Sequence, residues 1–347
     1  GHMSVYLNVI EAGPAVLIQD LGRPGFLVEG LSQGGAADRL ALFEGAALLG
    51  QSAALAALEL GGYGGAFTAS APLRFAVTGA RMQLAIDGAP ILMNASYTLH
   101  PGQTLRIGAA KCGVYGYLHL GGGLDTPSLL GSRATHLGAG IGKAVASGDT
   151  LPVGRDPHPD RTGNVLDVAD RCSGGALRMV ASVQTGEFAR AELDRFQQIT
   201  FQRDARGNRQ GVRLSADAEP FTVSAGLKIV SEMIVPGDIQ ITGDGAPYIL
   251  LAECQTTGGY PRIGTVIPCD LPRVAQASPG TKLRFELIDM ETALAAYAAD
   301  QKATAGLAHQ VRPLVRDPHD IADLLSYQLI SGVTAGHDPI STQEDPK

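Results

Sequence analysis

The chain has 347 residues, including 45 glycines and 20 prolines but no tryptophan, and its formal net charge at pH 7 is −7. This length allows two domains with a large core, and the many turn-forming residues favour short strands over long helices. The negative charge argues against a nucleic-acid or anionic-membrane partner, because no basic surface is available to neutralise phosphates.

No apolar stretch approaches the ~20 residues needed to span a bilayer. Residues 1–3 resemble the remnant of an expression tag, and no charged-then-apolar signal peptide precedes Val5. We therefore expect a cytoplasmic protein with no membrane partner. The four cysteines lack C-x-x-C spacing, so the sequence predicts reduced thiols, with neither a disulfide framework nor a metal site.

The first half of the chain is predicted to consist of short strands around one helix. The helix covers about residues 38–49 and ends at Gly50. Strands are predicted over residues 5–10, 15–18, 57–60, 73–77, 82–86, 96–99, 104–107 and 114–120. Their close spacing is typical of a β-barrel or β-sandwich.

The polar segment 155–175 is predicted to link two β-rich domains, residues 4–154 and 176–289. The second domain has one predicted helix at about 188–196 and a final strand at 282–287. A Pro-Gly turn precedes a strand at 101–102 and again at 236–237, and each time an apolar strand and a double glycine follow. This faint repeat predicts two similar barrels.

Residues 290–347 are predicted to form a helical tail. An Ala-rich helix is predicted over 290–305, and Asp317-Pro318 could begin another. In that second helix Ile321, Leu324, Leu325 and Leu329 would share one face. Such an apolar stripe is expected to be buried, either against the second domain or against a partner.

A glycine-rich loop at 255–262 follows a predicted strand at 248–251. Gly258 and Gly259 allow backbone N–H groups to approach a ligand, and Arg262 offers a planar fork of donors for a carboxylate, phosphate or ureido oxygen. A tight hairpin with a salt-bridged arginine explains the same residues equally well.

Several catalytic motifs are incomplete in this sequence. Residues 138–143 are glycine-rich, but Leu137 and Ala144 stand where a Walker A loop needs Gly and Ser or Thr. Neither G-x-S-x-G nor H-E-x-x-H occurs, and no lysine has the Met-Lys-Met setting of a biotin carrier. His119 lies in an apolar strand, which predicts a core or near-site histidine rather than a metal ligand.

Motifs spread over residues 5–290 make a family resemblance recognisable. In chain order they are V-I-E-A-G (9–13), I-Q-D-L-G-R-P-G (18–25), G-G-A-A-D-R (34–39), L-E-L (58–60), P-G-Q-T-L (101–105), Y-L-H-L-G-G-G (117–123), L-G-S-R-A-T (130–135), N-R-Q-G-V-R-L (208–214) and Q-T-T-G-G-Y-P-R (255–262). With them the chain resembles the family known as KipA, allophanate hydrolase subunit 2 or the C subunit of 5-oxoprolinase, which is related to the carboxyltransferase domain of urea carboxylase. It departs from the family pattern at Asn208, at residues 210–212 and at Ser32-Gln33.

The resemblance implies a mainly β fold with two cyclophilin-like β-barrel domains and a C-terminal helical appendage. It also implies the C subunit of an ATP-dependent 5-oxoprolinase, inactive alone and working with a B-like subunit (KipI or allophanate hydrolase subunit 1) and an A-like subunit. One alternative is a biotin-dependent carboxyltransferase for urea or a related amide, with carboxybiotin on a separate carrier. Another is a KipA-like, non-catalytic antagonist of a KipI-like kinase inhibitor. Family members are often labelled ATP-binding, but no motif here supplies that site.

Carboxyl transfer to an amide, or attack on a lactam, requires donors for a developing oxyanion and a general base. On the family's motif positions the predicted catalytic residues are Asp38, Arg39, Tyr260 and Arg262. The predicted substrate-binding residues are Asp20, Arg23, Gln255, Thr256, Thr257, Gly258, Gly259 and Arg209. Each alone is equally well explained as a turn or cap residue, but as a set they are expected to share one cleft.

Overall fold

A computed structural model describes residues 4–224 and 230–314. The first domain is a curled sheet of nine strands with a helix on one face. Its elements are β1 (Val5–Ala12), β2 (Val16–Gln19), α1 (Arg39–Leu49), β3 (Ala57–Gly61), β4 (Tyr63–Ala69), β5 (Leu73–Ile86), β6 (Ala89–Ile91), β7 (Ser96–Leu99), β8 (Leu105–Leu120) and β9 (Thr150–Val153). The main path of the sheet runs β2-β3-β8-β4-β1-β9, and β5 joins it through β8.

The two longest strands correct the prediction of separate short strands at 73–77 and 82–86, and at 104–107 and 114–120. Each pair is one continuous strand, β5 or β8. The glycines between the predicted segments, Gly79 and Gly113, have φ angles of 86° and 89°, and the β5–β8 register shifts between Gly79 and Arg81. These glycines form β-bulges, which bend a strand without ending it.

The second domain is a closed barrel in the order β11-β18-β15-β16-β13-β12-β19. After β10 (Asn164–Val165), its elements are β11 (Gly175–Val180), α2 (Arg190–Gln198), β12 (Phe201–Asn208), β13 (Gly211–Ser215), β14 (Glu232–Met233), β15 (Asp238–Ile241), β16 (Pro247–Leu250), β17 (Thr257–Gly258), β18 (Arg262–Val266), α3 (Leu271–Ala275) and β19 (Lys282–Leu287). β14 and β17 pair as a separate two-stranded sheet. The two domains, one a closed barrel and one a curled sheet, give the mainly β fold that was predicted.

The core of the barrel is built around Phe196 of α2. Its ring lies 4.8–5.4 Å from those of Phe201, Phe221 and Phe285, centroid to centroid. The helix begins two residues later than predicted, because Phe188 has an extended backbone and its side chain is buried. Packing of Phe196 therefore fixes the helix that closes one end of the barrel.

The described part of the tail returns to the first domain. α4 spans Met290–Ala305, as predicted, and is followed by α5 (Leu307–Gln310) and β20 (Arg312–Pro313). Leu307 packs against the buried Leu48 and Leu49 of α1, and β20 pairs with β10. The predicted helix after Asp317 lies outside the described residues. No helix in the ranges 4–224 and 230–314 is long and apolar enough to cross a membrane.

Helix α1 packs closely on β5 and β8 at Gly45. A Cβ atom at this position would overlap the imidazole ring of the buried His119. We expect Gly45→Ala to lower the free energy of unfolding by about 1–3 kcal/mol through overpacking, despite a gain in helix propensity of roughly 1 kcal/mol. Denaturant unfolding tests this against Gly186→Ala, where a Cβ would meet nothing within 4 Å. A variant as stable as the parent would contradict the close packing.

His119 gives stability a predicted dependence on pH. Its Nε2 lies 2.7 Å from Thr78 Oγ1, which donates to Ala41 O at 2.9 Å, so Nε2 carries the proton and the ring is neutral. Burial lowers the pKa of His119 to about 3. The unfolded chain binds this proton at about pH 6.5, so stability should fall by up to about 1.4 kcal/mol per pH unit as the pH drops from 6.5 towards 3. Between pH 7 and pH 5, the free energy of unfolding should fall less in His119→Gln than in the parent protein. An equal fall in both proteins would refute this role of His119.

Candidate functional site between the two domains

A cleft of about 470 Å³ lies where the two domains and α4 meet. The first domain contributes residues from 33 to 43, the second contributes residues from 236 to 272, and α4 contributes residues from 297 to 304. The walls are mainly apolar, and their polar side chains are Gln33, Arg39, Cys269, Tyr297, Asp300, Gln301 and Thr304. Pockets with a few polar groups on apolar walls are the usual form of a small-molecule site.

One backbone carbonyl orients two of these polar side chains. Leu21 O accepts hydrogen bonds from Arg39 Nη1 at 2.7 Å and from Gln33 Nε2 at 2.8 Å. Within the described ranges, no other acceptor bonds the Arg39 guanidinium and no donor bonds Gln33 Oε1. The cleft therefore presents a cation beside an amide oxygen that can accept a hydrogen bond.

The charge of Arg39 is only partly hydrated. Its side chain is exposed at the cleft, but the surrounding walls displace enough water to lower its pKa, although Tyr297 and Asp20 act in the opposite direction. An arginine stays protonated despite such a shift. A guanidinium at the cleft surface, with one terminal nitrogen held by Leu21 O, is suited to a carboxylate as its counter-ion.

Asp300 supplies an acid on the α4 side of the cleft. Partial burial raises its pKa, and repulsion by Asp270 adds to this effect, whereas Arg178 opposes it. Asp270 itself is held by Arg178, whose Nη2 donates to Asp270 Oδ1 at 2.7 Å. A carboxyl group with a raised pKa in a cleft is a candidate general acid or base.

A buried ion network holds the cleft wall at residues 33–37. Arg209 of the second domain donates to Glu59 Oε1 at 2.5 Å, to Glu253 Oε2 at 2.9 Å and to Gly35 O at 2.5 Å. Glu59 Oε2 accepts from Ala37 N at 2.9 Å. Burial lowers the pKa of Arg209, but the two glutamates outweigh it and raise the pKa above its ordinary value. One arginine thus joins both domains and fixes the wall between them.

Asp38 joins the same network at the start of α1, because its backbone N donates to Tyr117 Oη, which in turn donates to Glu59 Oε2 at 2.7 Å. Its Oδ1 caps Ala41 N at 3.3 Å, and its Oδ2 accepts from Arg171 Nε at 2.7 Å and from Gln276 Nε2 at 2.9 Å. Arg171 also pairs with the buried Glu44. Asp38 is fully buried, so its carboxylate faces protein donors and not the cleft.

His136 lies directly behind the wall, 3.1 Å from where a Cβ on Gly34 would stand. Its Nε2 is 2.9 Å from Ser32 Oγ, and its Nδ1 is 3.5 Å from Glu253 Oε1. Ala139 N donates to Nδ1 at 3.2 Å, so the Nε2 proton points at Ser32. Burial lowers the pKa of His136, and Arg209 and Arg23 act in the same direction against Glu253. In this tautomer His136 donates to Ser32 and cannot take its proton.

Asp20 and Arg23 support a neighbouring turn. Asp20 accepts from Gly22 N at 2.9 Å, from Ser132 Oγ at 2.5 Å and from Arg133 N at 2.8 Å. The fully buried Arg23 donates from Nε to Leu129 O at 2.8 Å and from its backbone N to Gln33 O at 2.7 Å. Both residues lie behind the cleft wall and shape it.

The predicted loop 255–262 lies outside the interdomain cleft. Arg262 donates to Gln184 Oε1 at 3.1 Å, to Met233 O at 3.0 Å and to Glu232 Oε2 at 2.6 Å. Tyr260 is exposed. The short β14–β17 sheet contains Thr257 and Gly258, which Gln255 and Thr256 precede and Gly259 follows. None of these residues is among the described residues that line the cleft. The structure therefore separates the predicted site residues into one in the cleft, four behind its wall and the rest in this loop.

The glycine-rich segment 138–143 also does not form a phosphate-binding loop. Leu137–Ala139 is a single 3-10 turn capped by His136, and Gly138 N donates to Glu253 Oε1 at 2.7 Å. A Walker A loop leads from a strand into a long helix, which is not the arrangement here. These residues brace Glu253 in the buried network.

Gln33, Asp300, Glu59 and Glu253 were not predicted as site residues. Gln33 precedes a recognised motif, and Glu59 and Glu253 lie within or beside others. No local sequence pattern shows that a glutamate pairs with an arginine distant in sequence. Asp300 belongs to an ordinary Ala-rich helix. Only tertiary structure brings it into the same cleft as Arg39.

Comparisons with known proteins agree with this architecture. Residues 29–287 match the family described as carboxyltransferase domain, subdomain A and B. The chain is 32% identical over 308 residues to the 5-oxoprolinase C subunit of Escherichia coli, covering 87% of this chain and 97% of that protein. It is 27% identical over 311 residues to a putative urea carboxylase of Emericella nidulans, covering 84% of this chain but 25% of that protein.

A solved structure shares the fold. The crystal structure of the Kluyveromyces lactis urea carboxylase superposes with a TM-score of 0.78 at 20% identity, over 92% of this chain and 31% of that one. The chain thus corresponds to about a quarter to a third of these larger carboxylases, but to nearly the whole of the bacterial protein.

Proposed function

This chain belongs to the family of carboxyltransferase domains with subdomains A and B, and we propose that it is the C subunit of a 5-oxoprolinase-type amidohydrolase. In this proposal an assembled complex uses ATP to open the ring of 5-oxoproline and give glutamate. The chain contributes the interdomain cleft as a substrate site. A-like and B-like subunits complete the machinery, and the chain alone is inactive.

The match to a whole bacterial subunit is the observation that carries the proposal. The chain covers 97% of the E. coli 5-oxoprolinase C subunit, whereas it covers 25% of the putative urea carboxylase. Identity of 32% across nearly the entire bacterial protein supports a role as the corresponding subunit of a similar complex.

The cleft has the groups that 5-oxoproline requires. This substrate is a five-membered lactam with one carboxylate and one N–H group. The Arg39 guanidinium can bind the carboxylate, and Gln33 Oε1 can accept a hydrogen bond from the lactam N–H. Arg39 Nη1 and Gln33 Nε2 both donate to Leu21 O, which orients the two side chains for these contacts. The apolar walls suit the ring methylenes.

Asp300 is proposed as the acid or base for the lactam nitrogen. We expect Asp300→Asn to lower the turnover of the assembled complex by about 10²–10⁴-fold with a smaller change in KM, because proton transfer of this kind contributes that factor. Steady-state kinetics provide the test, and Glu291→Gln, at an exposed position of the same helix, is the matched control. Full activity of Asp300→Asn would show that Asp300 takes no part in the reaction.

We assign ATP to a partner subunit. The 3-10 turn Leu137–Ala139 begins the segment 138–143, and Gly138 N is engaged with Glu253, so this segment does not form a phosphate-binding loop. When bound to the complex, ATP would activate the otherwise stable amide. The residues of this chain would bind and orient the lactam and move a proton at its nitrogen.

Reconstitution tests the proposed function. The chain is combined with A-like and B-like subunits from the same organism, and ATP-dependent release of glutamate from 5-oxoproline is followed. Release that depends on this chain is the expected result. Unchanged release when the chain is omitted, or no release from a complex shown to be assembled, would overturn the proposal.

A biotin-dependent carboxyltransferase is the second candidate, favoured by the 27% identity to the putative urea carboxylase. In that case Arg39 would face a carboxylated cofactor on a separate carrier, and urea or a related amide would accept the carboxyl group. Consumption of carboxybiotin in the presence of urea, with no 5-oxoproline turnover, would select this function over the first.

A further inference from the structure

Two cysteines and an aspartate come together outside the cleft, at the junction of the domains. Cys112 lies on β8, and Asp170 and Cys172 lie in the segment that leads into β11. Their two sulfur atoms and one carboxylate oxygen all lie within 4.8 Å of one another. Cys172 is buried, Cys112 is half-buried and Asp170 is exposed, so the cluster opens to solvent on one side.

The backbone around the cluster holds these groups close. Gly113, in a bulge with φ of 89°, has no side chain, and a Cβ there would lie 2.8 Å from Cys172 Sγ. Asp170 Oδ1 accepts from Cys172 N at 3.0 Å, which fixes the carboxylate beside the thiol. Gln276 Oε1 accepts from Val114 N and Tyr115 N and so anchors β8 next to Cys112.

The donor set matches a soft divalent cation. Zn²⁺ binds thiolate sulfur at about 2.3 Å and carboxylate oxygen at about 2.0–2.2 Å in a tetrahedron, so two ligating sulfurs lie roughly 3.8 Å apart. Sulfur and carboxylate oxygen ligands lie roughly 3.6 Å apart in the same geometry, so each pair of ligand atoms would have to close by at most about 1.2 Å from the observed limit of 4.8 Å. Hard cations such as Mg²⁺ prefer oxygen ligands alone, so the sulfurs select against them.

We propose that Cys112, Cys172 and Asp170 form a binding site for a thiophilic divalent cation such as Zn²⁺, with water as the fourth ligand. This proposal does not rest on the proposed enzymatic function. Arg171, between two of the ligands in sequence, pairs with Asp38 and Glu44 of the first domain. A bound cation would therefore brace the linker against the first domain and stabilise the domain arrangement that forms the cleft.

A disulfide between the two cysteines is the rival outcome. Cys172 is buried, which limits the access of an oxidant or of another thiol to its sulfur. The carboxylate of Asp170 would also have no role in a disulfide.

Cobalt binding tests the site on the full chain. The protein is treated with a chelator and a non-thiol reductant, freed of both and titrated with Co²⁺ alone. We expect one equivalent to produce the near-ultraviolet thiolate-to-cobalt band and Zn²⁺ to bleach it. Cys112→Ser and Cys172→Ser should abolish the band, and Asp170→Asn should weaken Co²⁺ binding at least about tenfold, since even outer-shell partners contribute that much. Cys269→Ser, at a half-buried cysteine outside the cluster, should leave the Co²⁺ band and the Co²⁺ affinity unchanged.

Three results would overturn the proposal. They are the absence of a thiolate band in the parent protein, a band that persists in Cys112→Ser, and a Cys112–Cys172 disulfide in protein isolated without reductant. If the buried Cys172→Ser variant does not fold, Cys112→Ser and Asp170→Asn still decide the question, because both side chains reach solvent.

Discussion

Arg209→Ala should destabilise the protein by about 3–5 kcal/mol, because it leaves Glu59 and Glu253 buried without their counter-ion. The same change removes the hydrogen bond to Gly35 O and so releases the cleft wall. Urea unfolding followed by circular dichroism measures the shift in the transition midpoint. Arg206→Ala, which changes an exposed arginine on β12, three residues before Arg209, should leave the midpoint unchanged.

A compensated variant separates lost charge balance from lost packing. Glu59→Gln and Glu253→Gln, introduced together with Arg209→Met, remove all three charges and keep similar volumes. We expect this triple variant to recover much of the stability, because desolvated charges are costly to bury. A destabilisation below about 1 kcal/mol for Arg209→Ala alone would show that the network does not hold the domains together.

Arg39→Ala should impair the assembled complex by about 10–100-fold in kcat/KM for 5-oxoproline, mainly through KM. A charge-assisted hydrogen bond is worth about 1.5–3 kcal/mol, and 1.4 kcal/mol corresponds to a factor of ten. Arg39→Lys keeps the charge but loses the planar fork and should fall between the parent and Arg39→Ala. Stability should change little, because the side chain is exposed and bonds only Leu21 O among described acceptors.

Arg262→Ala is the informative contrast. Its guanidinium is committed to Gln184, Met233 and Glu232, so the variant should lose stability around β14 and β17 rather than affinity for a carboxylate. A larger rise in KM for Arg262→Ala than for Arg39→Ala would move the substrate site to the loop 255–262.

Local signals explain which elements were predictable from sequence. Asp38 and Gly50 mark the two ends of α1, and the Ala-rich composition marks α4, whose bounds were predicted correctly. Gly79 and Gly113 could not be identified as bulges rather than turns, because that choice depends on pairing between β5 and β8. The long strands were therefore predicted as fragments.

The site was only partly predictable for a related reason. Arg39 was predicted as a site residue because it ends a recognisable motif, and the structure places it in the cleft. Arg209 was also predicted, but its partners Glu253 and Glu59 lie 44 and 150 residues away in sequence. Its structural role therefore depends on contacts between domains. Asp300 reaches the cleft from a helix whose own sequence carries no functional pattern.

The cleft as the substrate site is the central claim, and a crystal structure of the assembled complex with 5-oxoproline tests it most directly. We predict electron density for the ligand between Arg39, Gln33 and Asp300, with its carboxylate on the Arg39 guanidinium. Density beside Tyr260 and Arg262, with the interdomain cleft empty, would contradict the account and place the site in the glycine-rich loop.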